Sequence, residues 1–254
     1  MKNILSIALV QIDLKWKDKS ANFSTIQKLV DELNNPVDLL ILPELFNTAF
    51  CIDDLSLAED RHGETLAFMQ SISKQKKCIV AGSFLFKEDE NVFNRLFFVL
   101  ENEIKGHYDK HYLFSLVGED ILLTRGTNKV ILEYNGWKIQ PFICYDLRFP
   151  AWCQNNDHAD IQLYVASWPQ KRIHHWQALL QARAIENQCY VIGVNRVGAD
   201  FYGNEHNGHS VVYDFTGNLV LDMADKSGIE IVKITKDTLD LHKIRYSFWK
   251  DRIK

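Results

Sequence analysis

Three polar residues stand where apolar runs of this chain end: Glu44, Lys110 and Cys144. Glu44 closes Leu39-Leu40-Ile41-Leu42-Pro43. Proline cannot donate to a strand ladder, so it marks the strand's end. In an open α/β sheet, ligands bind at the carboxyl ends of strands. Lys110 lies in Gly106-His107-Tyr108-Asp109-Lys110-His111-Tyr112-Leu113-Phe114. Its aromatic neighbours would desolvate the ammonium and sensitise it to nearby charge. Cys144 follows the apolar run Ile139-Gln140-Pro141-Phe142-Ile143 and opens a polar turn, Tyr145-Asp146-Leu147-Arg148-Phe149-Pro150. A strand-to-turn position of this kind exposes a side chain as a nucleophile elbow does. Singly, each residue has a blander reading: a solvated loop carboxylate, a lysine stem lying on apolar surface, a buried inert thiol.

The elements that must position these residues are visible as periodic runs. Strand-like stretches cover 4–12, 37–42, 78–86, 94–102, 138–144, 160–167, 189–197, 210–215 and 229–234. Many are continuously apolar, as suits strands buried on both faces. Helical spacing appears in 22–33, 63–77 and 173–188. Strand–helix–strand order in the first 85 residues indicates an α/β fold. Hairpin signals near 97–104 and 212–221 make the sheet mixed. No Pro/Gly/Ser-rich linker, repeat or low-complexity run divides the chain, so one domain over 1–254 is expected, with a core at about 4–235. The stretch from Leu239 to Lys254 is aromatic and basic. It reads as a C-terminal tail, either tied to its own surface or packed on a partner subunit.

Composition excludes several classes. With 46% apolar and 24% charged residues, the chain has a core to bury and is not intrinsically disordered. A net charge of −4, with no clustered basic run, gives no electrostatic footprint for nucleic acid or a membrane surface. No apolar stretch nears the length of a membrane-spanning helix. The N-terminus has no clear cleavage site, so a first core strand and a cytoplasmic protein are expected. The five cysteines show no C-x-x-C spacing, which argues against a disulfide framework or a zinc knuckle. Cys51, Cys78, Cys153 and Cys189 read as small buried apolar residues. His206-Asn207-Gly208-His209 has H-x-x-H spacing but no accompanying ligands, and it reads as a polar loop. No metal is expected. Arg183 and Glu186, three apart on a predicted helix, read as an ion pair on its face.

Taken together, Glu44, Lys110 and Cys144, 66 and then 34 residues apart, resemble the catalytic triad of the nitrilase superfamily of carbon–nitrogen hydrolases. The most specific piece is Cys144-Tyr145-Asp146-Leu147-Arg148-Phe149-Pro150. Ala166-Ser167-Trp168-Pro169, the segment 175–188, Asn195-Arg196-Val197-Gly198 and Gly208-His209-Ser210 add to it. The likeness runs over about 4–235 and is greatest to the omega-amidase branch, its bacterial members in particular. The resemblance implies a four-layer α-β-β-α sandwich, an assembly of two or more copies and no cofactor. It also implies a second glutamate in the loop after the lysine, which matches Glu119.

The implied chemistry suits these residue types. A thiol titrates near ~8.5 and is a weak nucleophile until it loses its proton. Glu44 would take that proton, protonate the leaving nitrogen and later activate water. Lys110 and the Tyr145 backbone N–H would meet the developing oxyanion. Glu119 would position substrate or hold the charge states of its neighbours. The branch acts on terminal amides of 2-oxo acids, namely 2-oxoglutaramate and 2-oxosuccinamate. Arg148, His111 and the helix start near Arg172 are candidate anchors for the substrate carboxylate. Phe46, Phe50, Phe114 and Trp168 are candidate pocket walls. The rival expectations are another hydrolase of the superfamily (a nitrilase, N-carbamoyl hydrolase or aliphatic amidase) and a non-catalytic binding protein on the same fold.

Overall fold

The computed structural model describes residues 2–251. Its first half runs β1 (Ile4–Gln11), α1 (Lys19–Glu32), β2 (Leu39–Ile41), α2 (Glu64–Lys76), β3 (Ile79–Glu88), β4 (Asn91–Leu100), β5 (Glu103–Asp109) and the short α3 (Glu119–Leu122). The second half runs β6 (Leu132–Tyr134), β7 (Trp137–Ile143), α4 (Pro150–Cys153), β8 (Ile161–Val165), α5 (Ile173–Asn187), β9 (Tyr190–Val194), β10 (Val197–Ala199), β11 (Glu205–Asn207), β12 (Val211–Tyr213) and β13 (Leu219–Asp222). The strand β14 (Gly228–Thr235) returns to the first sheet, and α6 (Lys236–Arg245) follows.

Two six-stranded sheets form, ordered β14-β1-β2-β3-β4-β5 and β13-β12-β9-β8-β7-β6. In each, three central strands are parallel and the flanking pairs antiparallel. The central strands are continuously apolar because both faces are covered. Leu5, Ile7, Leu39, Ile41, Ile79 and Phe98 of the first sheet share one core with Ile139, Ile161, Leu163 and Val191 of the second. The opposite face of the first sheet, with Ala8, Val10, Leu40 and Val80, packs on Ile26 and Val30 of α1 and Met69 and Ile72 of α2. Trp176, Leu180 and Ala184 of α5 cover the second sheet. The result is the expected α-β-β-α sandwich.

Helix α1 begins three residues before its apolar spacing does, because Asp18 caps it by accepting the Ala21 N–H at 2.9 Å. The ribbon β10–β11 was not expected from the sequence. Nor was α6, which occupies part of the expected tail. Lys236 and Lys243 both donate to Asp160 Oδ1 at 2.9 Å, and Gln188 donates to the Tyr246 carbonyl. This segment is therefore tied to its own subunit; residues 252–254 of the expected tail lie outside the described residues. Among the described residues no helix is long and apolar enough to cross a membrane.

Candidate active site

The three residues singled out from the sequence meet at the carboxyl ends of the two sheets. Beyond β2, Leu42 donates to the Ala81 carbonyl and Leu45 to Ser83 Oγ, so the chain that carries Glu44 is clamped to β3. Gly82 makes this approach possible, since a Cβ there would stand 2.9 Å from both Leu42 and Phe46. Lys110 follows β5 directly. Its carbonyl accepts from Gly126 at 2.9 Å, and any Cβ at Gly126 would strike the Asp109 carbonyl at 2.1 Å. Cys144 follows β7 with φ of 44°, a left-handed conformation that costs energy in a non-glycine residue and recurs at functional turns.

Lys110 Nζ donates to Glu44 Oε1 at 2.9 Å and to both oxygens of Glu119 at 2.9 Å. All three side chains are buried. Glu119 Oε2 also accepts the Phe114 N–H at 2.7 Å, which folds the 114–119 loop onto the cluster. Burial pulls the Lys110 ammonium down, but Glu119, Glu44 and Cys144 outweigh it and hold the group above its ordinary value. Lys110 is therefore a fixed cation at neutral pH. Glu44 Oε2 accepts the Ser167 N–H at 2.9 Å, and the Glu44 carboxylate neighbours the Cys144 thiol. Burial first, and the Glu44 charge second, push that thiol well above its ordinary value, against the pull of Lys110. A thiol so placed keeps its proton until a base removes it.

A second buried carboxylate braces the turn. Asp146 accepts from the Ile143 N–H at 3.0 Å, just before Cys144, and from the Tyr112 N–H at 2.7 Å, just after Lys110. The Tyr108 hydroxyl donates to it at 2.8 Å and receives the Trp152 indole at 3.0 Å. Burial pushes Asp146 up to about 6, although these hydrogen bonds pull the other way. Arg183 fixes the turn from behind: besides its ion pair with Glu186 at 2.7 Å, it donates to the Leu147 carbonyl at 2.8 Å.

A cavity of about 450 Å³ opens onto Cys144 and Lys110. Phe50, Phe114, Tyr145, Arg148 and Trp168 line it, as does Arg172. Two of the expected pocket residues do not. Phe46 is fully buried between the first sheet and its helices, 6.3 Å from Phe23. Leu45 and Ala49 adopt left-handed conformations, so the chain turns between Phe46 and Phe50 and sends their side chains to different places. His111 also points elsewhere: its ring stacks on Trp152 at 3.5 Å, and Nδ1 meets the Gly126 carbonyl at 2.6 Å.

Sequence reasoning missed Asn94, Ser167 and His206. The first two touch Glu44, and His206 lines the cavity. Burial, with Arg196 nearby, pushes His206 down to about 4, so it is neutral at pH 7. Lys171 joins Arg148 and Arg172 in the cavity lining. Among the described residues no carboxylate pairs with any of them. Arg148 lies 4.7 Å over the Trp168 ring and 3.3 Å from His175 Nδ1.

A sandwich of two such sheets, with a thiol at a strained turn beside a buried carboxylate–lysine cluster, defines a hydrolase of the nitrilase type. The sequence matches the carbon-nitrogen hydrolase family over residues 6–243, and the chain belongs to that family. It is 36% identical over 250 residues to the Escherichia coli (strain B / BL21-DE3) protein named omega-amidase YafV, covering 97% of this chain and 96% of that one. It is 32% identical over 229 residues to 2-oxoglutaramate amidase of Bacillus subtilis (strain 168), with 88% of each covered. Among solved structures, XC1258 from Xanthomonas campestris, a CN-hydrolase superfamily protein, superposes with a TM-score of 0.96 at 34% identity, over 100% of this chain and 98% of that one. The protein is a hydrolase of carbon–nitrogen bonds other than peptide bonds.

Proposed function

We propose that the protein is an omega-amidase that removes ammonia from the terminal amide of 2-oxo dicarboxylic acid monoamides such as 2-oxoglutaramate and 2-oxosuccinamate. The observation that carries this reading is one cavity lined both by Cys144, with Glu44 beside it, and by Arg148, Lys171 and Arg172, which have no carboxylate ion-pair partner among the described residues. The first suits an amide carbonyl and the second a carboxylate on the same small molecule. The names of the relatives support the same substrate class.

In the proposed reaction, Cys144 Sγ attacks the amide carbon while its proton passes to Glu44. The oxyanion that forms is met by Lys110 and the Tyr145 N–H. Glu44 returns the proton to the nitrogen, the C–N bond breaks and ammonia leaves. Water, deprotonated by Glu44, then attacks the Cys144 thioester and releases the acid and the thiol. Glu119 keeps Lys110 ionised and fixed in place. Every step is served by residues of this chain, and the reading invokes no cofactor. By family resemblance the working form is a homodimer or a higher homo-oligomer, and the proposed location is the cytoplasm.

The test is ammonia release from 2-oxoglutaramate against butanamide, which lacks the carboxylate. The expected kcat/KM ratio favours the oxo acid by about 10-fold or more, the worth of one charge-assisted contact. Equal rates, or turnover of nitriles or carbamoyl compounds instead, would assign the protein to another activity of the superfamily.

A further inference from the structure

Asn94 sits inside the charged cluster and carries no charge itself. It lies fully buried on β4, opposite Leu85 of β3. Its Nδ2 donates to Glu44 Oε1 at 2.9 Å and stands 3.4 Å from Glu119 Oε1. Its backbone carbonyl accepts the Lys110 N–H at 3.0 Å. One residue thus touches both carboxylates and the lysine. The amide can face them only one way, because turning it over would set Oδ1 against two carboxylate oxygens. In this orientation Oδ1 is buried with no hydrogen-bond partner. An unsatisfied buried acceptor is destabilising, so a purely structural role does not account for the choice of asparagine.

The consequence falls on Glu44, whose two oxygens become different. Oε1 takes Lys110 and Asn94. Oε2 takes the Ser167 N–H. Among the described residues Oε1 is thus occupied by two donors and Oε2 by one, and the carboxylate neighbours the Cys144 thiol. The charged and titratable groups around Glu44 come from every neighbouring element: Lys110 after β5, Glu119 in α3 and Cys144 after β7. Asn94 adds a donor to this set without adding a positive charge that would weaken the base or a negative one that would crowd it.

We propose that Asn94 is a positioning residue that occupies Glu44 Oε1 and so directs the Cys144 proton to Oε2. The Sγ–H bond breaks as the new Sγ–C bond forms, and the proton stays on Oε2 until the leaving nitrogen takes it. This inference rests on the reading of Glu44 as the base.

Alkylation of Cys144 by iodoacetamide reads the thiol without any substrate. Its rate is to be followed against pH in wild type, Asn94→Ala and the isosteric Asn94→Asp, each checked for cooperative thermal unfolding. Asn94→Asp places a third carboxylate in the cluster, and its alkylation midpoint is expected to rise by about one pH unit or more. Asn94→Ala is expected to slow alkylation at pH 7 by about tenfold or more, within the range of acid–base effects. If the alanine variant does not fold, the aspartate variant carries the test. A folded Asn94→Asp with the wild-type midpoint, whatever its melting temperature, overturns the proposal, as does a folded Asn94→Ala with the wild-type rate. Glu44→Gln run in parallel separates two failures. Unchanged alkylation in Glu44→Gln removes the base itself; slowed alkylation there, with no change in Asn94→Asp, removes only Asn94.

Discussion

Lys110 and Arg148 are cations on the same cavity, and the protein holds them in opposite ways. Lys110 is enclosed by two carboxylates and is buried. Arg148 rests on the Trp168 ring and a histidine, with Arg172 as a like-charged neighbour that, after burial, lowers its affinity for protons. A cation already saturated by carboxylates supplies a fixed charge for a transition state. A cation left without a counter-ion is ready for one brought by the ligand. In the proposed function chemistry and recognition are thus divided between two cations of one cavity, and that division can be broken at either end.

The largest effect is expected at the saturated end. In the proposed mechanism Lys110→Met removes an oxyanion donor, so kcat should fall about 10²–10³-fold. It also leaves Glu44 and Glu119 buried without their counter-ion, at a cost of about 3–5 kcal/mol in urea unfolding. At the open end, Arg148→Gln should raise KM for 2-oxoglutaramate about 10–100-fold, the range of a charge-assisted hydrogen bond, and leave kcat nearly unchanged. The same variant should treat butanamide as wild type does. A fall in kcat with KM unmoved would place Arg148 with the chemistry and erase the division.

The smallest effect concerns His206, which borders the cavity as a neutral group. Its folded-state value of about 4 lies below the ordinary 6.5 of an unfolded chain. The unfolded state therefore binds the extra proton first, and stability is lost as pH falls from about 6.5 towards 4. His206→Asn should remove that contribution. Between pH 7 and pH 4.5 the melting temperature of wild type should drop further than that of the variant. Equal drops would mean that His206 takes up its proton as readily in the folded state.

The legible part of the site was the part written in local sequence. Cys144 announced itself because an apolar strand ran into a polar turn, and Glu44 because proline ended its strand. Lys110 stood in an aromatic loop, and Glu119 could be placed only through the family pattern. The helices and most strands showed because their faces are buried with a clear period. Phe46 and Phe50 were indistinguishable, since two left-handed residues between and beside them decide which one meets the cavity. His111 was misjudged for a similar reason: stacking on Trp152, 41 residues away in sequence, turns its ring aside. Asn94 gave no signal, because its importance lies in a strand register that brings β4 under Glu44. Helix α6 was hidden because Leu239 alone among its residues is buried.

The central claim is that Cys144 carries the acyl group. The direct measurement is acid-quenched turnover of 2-oxoglutaramate, with the mass of the Cys144 peptide determined and Cys144→Ala assayed beside it. The expected result is an acyl adduct on that peptide, removed by hydroxylamine, with ammonia release lost in the folded variant. Ammonia release that survives in Cys144→Ala would contradict it.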